Sequence, residues 1–406
     1  MPGEKDQSNT AASSAATLSC LPRPRFLLRL ASAMQKQKPS LPRLIVAVSE
    51  TDPDLLYATR FFAPDAFVYL EKAGRTLVML NDLEIDRGRA QARVDEVVAF
   101  SDVARRAGKE PSFAAVLVRL LKEQRVRKAR VPATFPLGLA VELANAGITL
   151  EPVSGLFFPE RECKTAEELR KLRQALVITE TGMTRGMEVL SASEIGPENQ
   201  LHWGGRVLTS ERLRAEIDSA ILHAGGTPAN TIVAGGAQAC DPHERGHGPL
   251  KAHTLIILDI FPRDARTGYF GDMTRTVVRG RASDAQRRLW ETVLEGQRLA
   301  LASMKPGVDG KEVHEAVQAL FTERGYPTGQ VKGRWTGFFH GTGHGLGLEI
   351  HEEPRFGRTR FKPGQVLTVE PGLYYSGLGG VRIEDVVTVT ARGIKLLSRF
   401  EKRLEV

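Results

Sequence analysis

Cysteine is scarce in this chain: Cys20, Cys163 and Cys240 are the only three among 406 residues. They are too few and too scattered for a disulfide framework or a cysteine-based zinc site, so a reducing cytoplasmic compartment is expected. Long apolar runs are missing too. No stretch approaches the roughly 20 consecutive apolar residues that a membrane span needs, and no membrane partner is expected. Excess charge is confined to the amino terminus. Of the net +8, residues 1–43 supply seven Lys/Arg against Glu4 and Asp6, or 7 − 2 = +5, which leaves +3 for the rest. A basic tail alone does not make a nucleic-acid binder, and no nucleic-acid partner is expected.

The 42% hydrophobic content is enough, at this length, for two domains with substantial cores. Residues 1–40 read as a disordered extension. The Ser/Ala-rich stretch Thr10–Ser19, followed by Arg23-Pro24-Arg25-Phe26, has a faint targeting-peptide character. Acidic residues, internal prolines and a very short apolar run argue against it, and translation starting nearer Met34 is the other reading.

Residues 41–160 read as a smaller α/β domain. Strand-like runs at Leu44–Val48, Phe67–Leu70, Thr76–Leu80 and Val97–Phe100 alternate with helical stretches at Phe113–Gln124 and Leu137–Ala146. The basic run Arg119–Arg130 reads as the solvated face of an amphipathic helix. A larger unit, residues 161–406, opens on a helix with Thr165 as N-cap and Glu168 three residues on. A helix at Ser210–His223 and strands near Ile232, Leu255–Ile260 and Thr274–Val278 follow. A second pass repeats the scheme, with helices at Asp284–Met304 and Val308–Arg324 and strands at Val366–Val369 and Val381–Thr390.

Each pass carries two carboxylates in strand-like surroundings. Asp259 ends the apolar run Leu255-Ile256-Ile257-Leu258, and Asp272 lies in Phe270-Gly271-Asp272-Met273-Thr274. Glu370 lies in Val369-Glu370-Pro371-Gly372, and Glu384 in Arg382-Ile383-Glu384-Asp385. Gly-containing turns, Arg266-Thr267-Gly268 and Ser376–Gly380, are expected to join each pair of strands, so that antiparallel pairing sets the acids on one face. His344 lies in the Gly-rich segment His340–Glu352. A carboxylate in an apolar strand is costly to desolvate alone, whereas several converging ones become favourable around a divalent cation. For one such acid a surface hairpin is the better reading; for four in this order with a histidine, it is a metal site. Four carboxylates and an imidazole suit a pair of ions such as Mn, Co or Zn, and hydrolysis is the natural chemistry.

From Lys164 onward these motifs resemble the metallopeptidase family M24 of methionine aminopeptidases, prolidases and Xaa-Pro aminopeptidases. The motifs are Gly268–Thr276, His340–Glu352, Val369–Tyr374 and Val381–Asp385. More weakly, Leu41–Pro159 resembles the domain that creatinases, prolidases and aminopeptidases P carry in front, which methionine aminopeptidases lack. The resemblance implies an α/β (α+β) fold. Its C-terminal pita-bread domain has pseudo-two-fold halves and is preceded by the smaller creatinase-type domain. It further implies that Asp259, Asp272, His344, Glu370 and Glu384 hold two divalent ions, Mn first with Co or Zn as alternatives, Asp272 and Glu384 bridging them. Glu370 would shuttle the proton. His243, His351 and Arg382 would be catalytic, and together with His340 they would bind substrate. Creatinases have lost metal ligands, and all five are retained here. The pair His340-x-x-x-His344 is not a zincin helix, because Gly341 and Gly343 disfavour helix and no Glu follows the first His.

The implied activity is a homodimeric metal-dependent exopeptidase that cleaves the N-terminal residue from peptides with proline second, an Xaa-Pro aminopeptidase. An Xaa-Pro dipeptidase (prolidase) is the near alternative. A non-catalytic binding protein on the same fold is the alternative of another class. The chain departs from the family around the substrate side. Pro262–Arg266 lengthen the connection from Asp259 to Asp272, with the extra length expected in the hairpin turn. Glu244 follows His243 where an aromatic is common, Lys251-Ala252-His253 stands before the first metal strand, and Phe261 replaces a small residue.

Overall fold

Alternation and β-branched content make β1 (Arg43–Ala47), β2 (Phe67–Lys72) and β3 (Arg75–Leu80) antiparallel neighbours, with β4 (Glu96–Ala99), β5 (Lys128–Pro132) and β6 (Thr149–Val153) added in parallel. The computed structural model describes residues 41–406, so the extension expected over residues 1–40 lies outside the described residues. Sheet order is β4-β3-β2-β1-β5-β6. Helices α1 (Pro53–Thr59), α2 (Ile85–Gln91), α3 (Phe100–Ala107), α4 (Phe113–Glu123) and α5 (Leu137–Asn145) cover it. Cores form on both faces, one around Val103, Leu117 and Leu143, the other around Leu55, Phe61 and Phe158. The helix expected through Arg119–Arg130 is corrected. α4 stops at Glu123, Arg125 adopts a left-handed φ of 53°, and the chain re-enters the sheet as β5.

Helix α6 (Ala166–Ala192) starts with the expected capping box, Thr165 and Glu168 each bonding the other's backbone N–H. Gly182 and Gly186 let α7 (Ser210–His223) pack close, since an added Cβ would lie 2.9 Å from Ile221 and 3.1 Å from Ile217. These helices share a core with β7 (Ile232–Gly235), β8 (Leu255–Ile260) and β9 (Met273–Val278), an antiparallel sheet. The second pass follows the same plan. Helices α8 (Asp284–Ser303) and α9 (Gly310–Glu323) share a core with a sheet ordered β11-β10-β12-β15-β16. Its strands are β10 (His344–Gly345), β11 (Glu352–Arg355), β12 (Val366–Val369), β15 (Asp385–Val389) and β16 (Ile394–Leu396). A separate hairpin of β13 (Gly372–Tyr375) and β14 (Gly379–Arg382) rises between β12 and β15. The architecture is the pita-bread fold with an α/β sheet in front.

Three details differ from expectation. The strand expected over Val381–Thr390 breaks at Ile383–Glu384, and the Ser376–Gly380 turn joins β13 to β14 instead of the two acid-bearing strands. The extra residues after Asp259 are not only turn: Arg263 and Asp264 pair with Thr227 and Gly226. Among the described residues no helix is long and apolar enough to cross a membrane.

Candidate metal centre

Strand ends carry the four acids. Asp259 is the fifth residue of β8 and pairs with Thr274, while Asp272 immediately precedes β9. In the second half Val369 pairs with Asp385, so Glu370 and Glu384 leave that sheet at the same end. His344 opens β10, which pairs with β12 through Gly345 and Leu367. The loop before it needs glycine: a Cβ on Gly343 would fall 2.0 Å from the Thr368 carbonyl oxygen.

These placements converge. One ligand atom each from Asp272, His344 and Glu384 lies within 4.8 Å of the others, and all three residues are buried. His344 Nε2 is 3.2 Å from Glu370 Oε1 and 3.7 Å from Asp272 Oδ2. Asp259 accepts from Arg382 Nη2 at 2.6 Å. Glu384 Oε2 accepts from Thr274 Oγ1 at 2.8 Å, while its buried Oε1 has no hydrogen-bond partner. A buried carboxylate oxygen with no donor, set among other acids, is what a cation satisfies. His344 Nδ1 lies 3.1 Å from the Gly345 carbonyl oxygen; a proton donated there would leave Nε2, the atom that faces Glu370 and Asp272, free to bind a cation.

The electrostatics of the protein groups agree. Burial, and then the charges of Glu384, Asp259 and Glu370, drive the Asp272 carboxyl well above the usual range. Glu384 is raised by burial and by Glu370 and Asp259. Burial also raises Asp259, with Arg382 opposing it. Burial would raise Glu370 as well, but the His344 hydrogen bond and charge, with His340 and Arg382, hold it down to about 2. Like charges this close cannot all ionise without a counter-charge.

All nine residues singled out from the sequence line one cavity of about 790 Å³. His351 stands edge-on to His344, ring centroids 4.3 Å apart. Partial burial and then His344 push His351 down to about 4. His243 projects from the exposed Asp241–Glu244 turn, its backbone N–H bonded to Asp241 Oδ1 at 3.2 Å. A polar chain that sequence reasoning missed links the rest. Arg382 Nη1 donates to the Tyr374 hydroxyl at 3.0 Å, and that hydroxyl lies 2.8 Å from His340 Nε2. Burial keeps His340 at about 4, so it accepts from Tyr374 as a neutral ring. Tyr374 closes the Val369–Tyr374 motif, but its bond to Arg382 runs diagonally across the β13–β14 hairpin, where Tyr374 pairs with Gly380 and Arg382 with Gly372. Arg355 and Arg358, also unforeseen, stand on the cavity wall with Phe261, Phe339 and Ile350.

A doubled α/β fold with a buried carboxylate–imidazole cluster in its cleft defines the pita-bread metallohydrolases as a class. Within that class, the family model for Metallopeptidase family M24 matches residues 170–391, and the chain belongs to that family. The Xaa-Pro dipeptidase of Pyrococcus furiosus is 38% identical over 179 residues, 43% of this chain and 49% of that protein. The match thus spans about half the length of that relative. Among solved structures, an Xaa-Pro dipeptidase from Bacillus anthracis superposes with a TM-score of 0.75 at 25% identity, covering 90% of this chain and 95% of that one. The X-Pro aminopeptidase of Thermotoga maritima shares the fold, with a TM-score of 0.75 at 22% identity over 90% of this chain and 97% of that one.

Proposed function

We propose that the protein hydrolyses the N-terminal Xaa-Pro bond of peptides with two divalent ions held by Asp259, Asp272, His344, Glu370 and Glu384. The observation that carries this reading is Glu384, whose buried Oε1 has no hydrogen-bond partner and whose carboxylate meets Asp272 and His344 on the wall of a cavity of about 790 Å³. Bound divalent ions supply an electrophile for the scissile carbonyl and lower the pKa of water. The protein groups do the rest. Glu370, bonded to Thr368 Oγ1 at 3.2 Å, moves the proton of the attacking water towards the leaving nitrogen. His351 and His243 donate to the carbonyl oxygen as its charge grows, and His351 does so as a neutral ring. Arg382 fixes Asp259, and Tyr374 fixes Arg382 against His340. Phe261, Phe339 and Ile350 offer a proline ring a dry wall. Its tertiary amide lacks the N–H that general peptidases grip.

A second reading, the Xaa-Pro dipeptidase, is favoured by Arg355 and Arg358. A guanidinium on the cavity wall suits a terminal carboxylate one residue beyond the cleaved bond. Release of the first residue from both Xaa-Pro-Yaa and Xaa-Pro supports the aminopeptidase; turnover of the dipeptide alone makes the protein a prolidase. No turnover of either by metal-loaded protein leaves the binding-protein alternative. Mn as the working ion, a homodimer, a cytoplasmic location and a domain boundary near residue 160 belong to the same proposal. They are read from metal titration of activity, sedimentation, fractionation and limited proteolysis.

A further inference from the structure

Five charged groups meet where the front sheet's α1, the connector between β6 and α6 (residues 154–165) and the loop carrying His351 come together. Arg161, in the connector, has a side chain only 4% exposed. Its Nη1 donates to Asp54 Oδ1 of α1 at 2.8 Å, and its Nη2 donates to Glu349 Oε2 at 2.7 Å and to Glu352 Oε2 at 2.8 Å. The other oxygen of Glu352 pairs with the buried Lys164 ammonium. Glu352 Oε2 also takes the Glu349 backbone N–H at 3.3 Å. The loop curls so tightly over this carboxylate that a Cβ on Gly347 would sit 2.4 Å from Glu352 Oε1. The buried charges balance, Arg161 and Lys164 against Glu352 and Asp54, while Glu349 is half-exposed at the rim.

The same loop is held from its apolar side. Leu346 and Leu348 pack with Leu56, which lies just after Asp54 in α1, and with Tyr269, while Ile350 packs at the margin. Between Glu349 and Glu352 lie Ile350 and His351, and both line the cavity. A buried carboxylate anchors the loop on one side of His351 and a rim carboxylate on the other, and one guanidinium holds both.

We infer that Arg161 is a positioning residue: by bridging Asp54 to Glu349 and Glu352, it locks the His351 loop against the front α/β sheet and sets where His351 meets the substrate. The inference rests on the proposed peptide-hydrolysing role of the cavity. A lysine cannot reproduce it, because one ammonium lacks the planar fork that reaches three carboxylates. With the bridge lost, Glu349 turns to solvent and draws Ile350 and His351 with it. An ångström of misplacement at a transition-state contact costs on the order of a hundredfold in rate.

The test uses Arg161→Lys and Glu349→Gln in the full chain loaded with Mn. Arg161→Lys keeps the buried charge, and Glu349→Gln changes only a half-exposed partner, so both retain the fold. Arg161→Lys is expected to lower kcat on the best Xaa-Pro peptide by about ten- to a hundredfold with KM little moved, and Glu349→Gln by several-fold. In both, backbone amides of residues 346–352 exchange faster with deuterium while those of β8 do not change. Unchanged exchange in the loop overturns the inference, as does faster exchange with wild-type kcat. Should the wild-type protein cleave no Xaa-Pro peptide, the functional reading fails, and the exchange measurement alone still decides whether Arg161 locks the loop.

Discussion

Arg382 donates to Asp259 at 2.6 Å, both side chains being almost entirely out of water. The same guanidinium reaches Thr274 Oγ1 at 3.2 Å and the Tyr374 hydroxyl, so one arginine ties both halves of the fold at the acid cluster. Arg382→Ala strands the Asp259 carboxylate, and breaking a buried pair from one side costs about 3–5 kcal/mol. The expected result is a large fall in the denaturant midpoint together with loss of turnover. Arg382→Lys recovers part of the stability and little of the rate.

Tyr374→Phe removes only the hydroxyl between Arg382 and His340. The ring still fills its buried place, so the cost is that of unsatisfied polar groups, about 1–3 kcal/mol. Turnover is expected to fall about tenfold, less than the roughly hundredfold or more of a lost direct transition-state contact, because the hydroxyl acts through Arg382 and His340. Chemical denaturation and steady-state kinetics on one preparation check both figures.

Asp272→Asn relieves repulsion in the cluster but weakens the hold on ions. Chelator-treated variant is expected to melt above chelator-treated wild type at neutral pH, and this order should reverse once Mn is added. Mass-spectrometric metal content per chain falls in parallel. Such an exchange of function for stability is what a site of converging like charges predicts.

Metal loading should stabilise more as pH rises. Asp272 and Glu384 have folded-state values above their unfolded ones, near 4, so the folded chain keeps protons that the unfolded chain releases. Without a cation their contribution to stability therefore declines as pH climbs from about 4 through the raised folded values. A divalent ion removes that penalty and must itself displace the protons, so its affinity grows in the same direction. The gap in melting temperature between loaded and stripped protein is expected to widen from pH 5 to pH 8; a constant gap would count against the coupling.

The acids and His344 were legible in the sequence because each stands beside a buried strand or a glycine, where a lone charge is costly unless a cation or another partner balances it. The capping box at Thr165 and the strand Leu255–Ile260 read directly, since their signals are local. What escaped depends on pairing across distance. Arg161 meets Glu352 from 191 residues away, and Tyr374 meets Arg382 diagonally across a hairpin that pairs it with Gly380. The break at Ile383–Glu384 was hidden because the residues on both sides are strand formers, and the turn at Arg125 because its neighbours suit a helix.

The central claim is tested most directly by following release of the N-terminal residue from an Xaa-Pro-Yaa peptide by chelator-stripped protein before and after Mn is restored, with Asp272→Ala in parallel. Restored turnover in the wild type alone is the predicted result. Equal turnover by stripped and loaded protein, or by Asp272→Ala, would contradict the account.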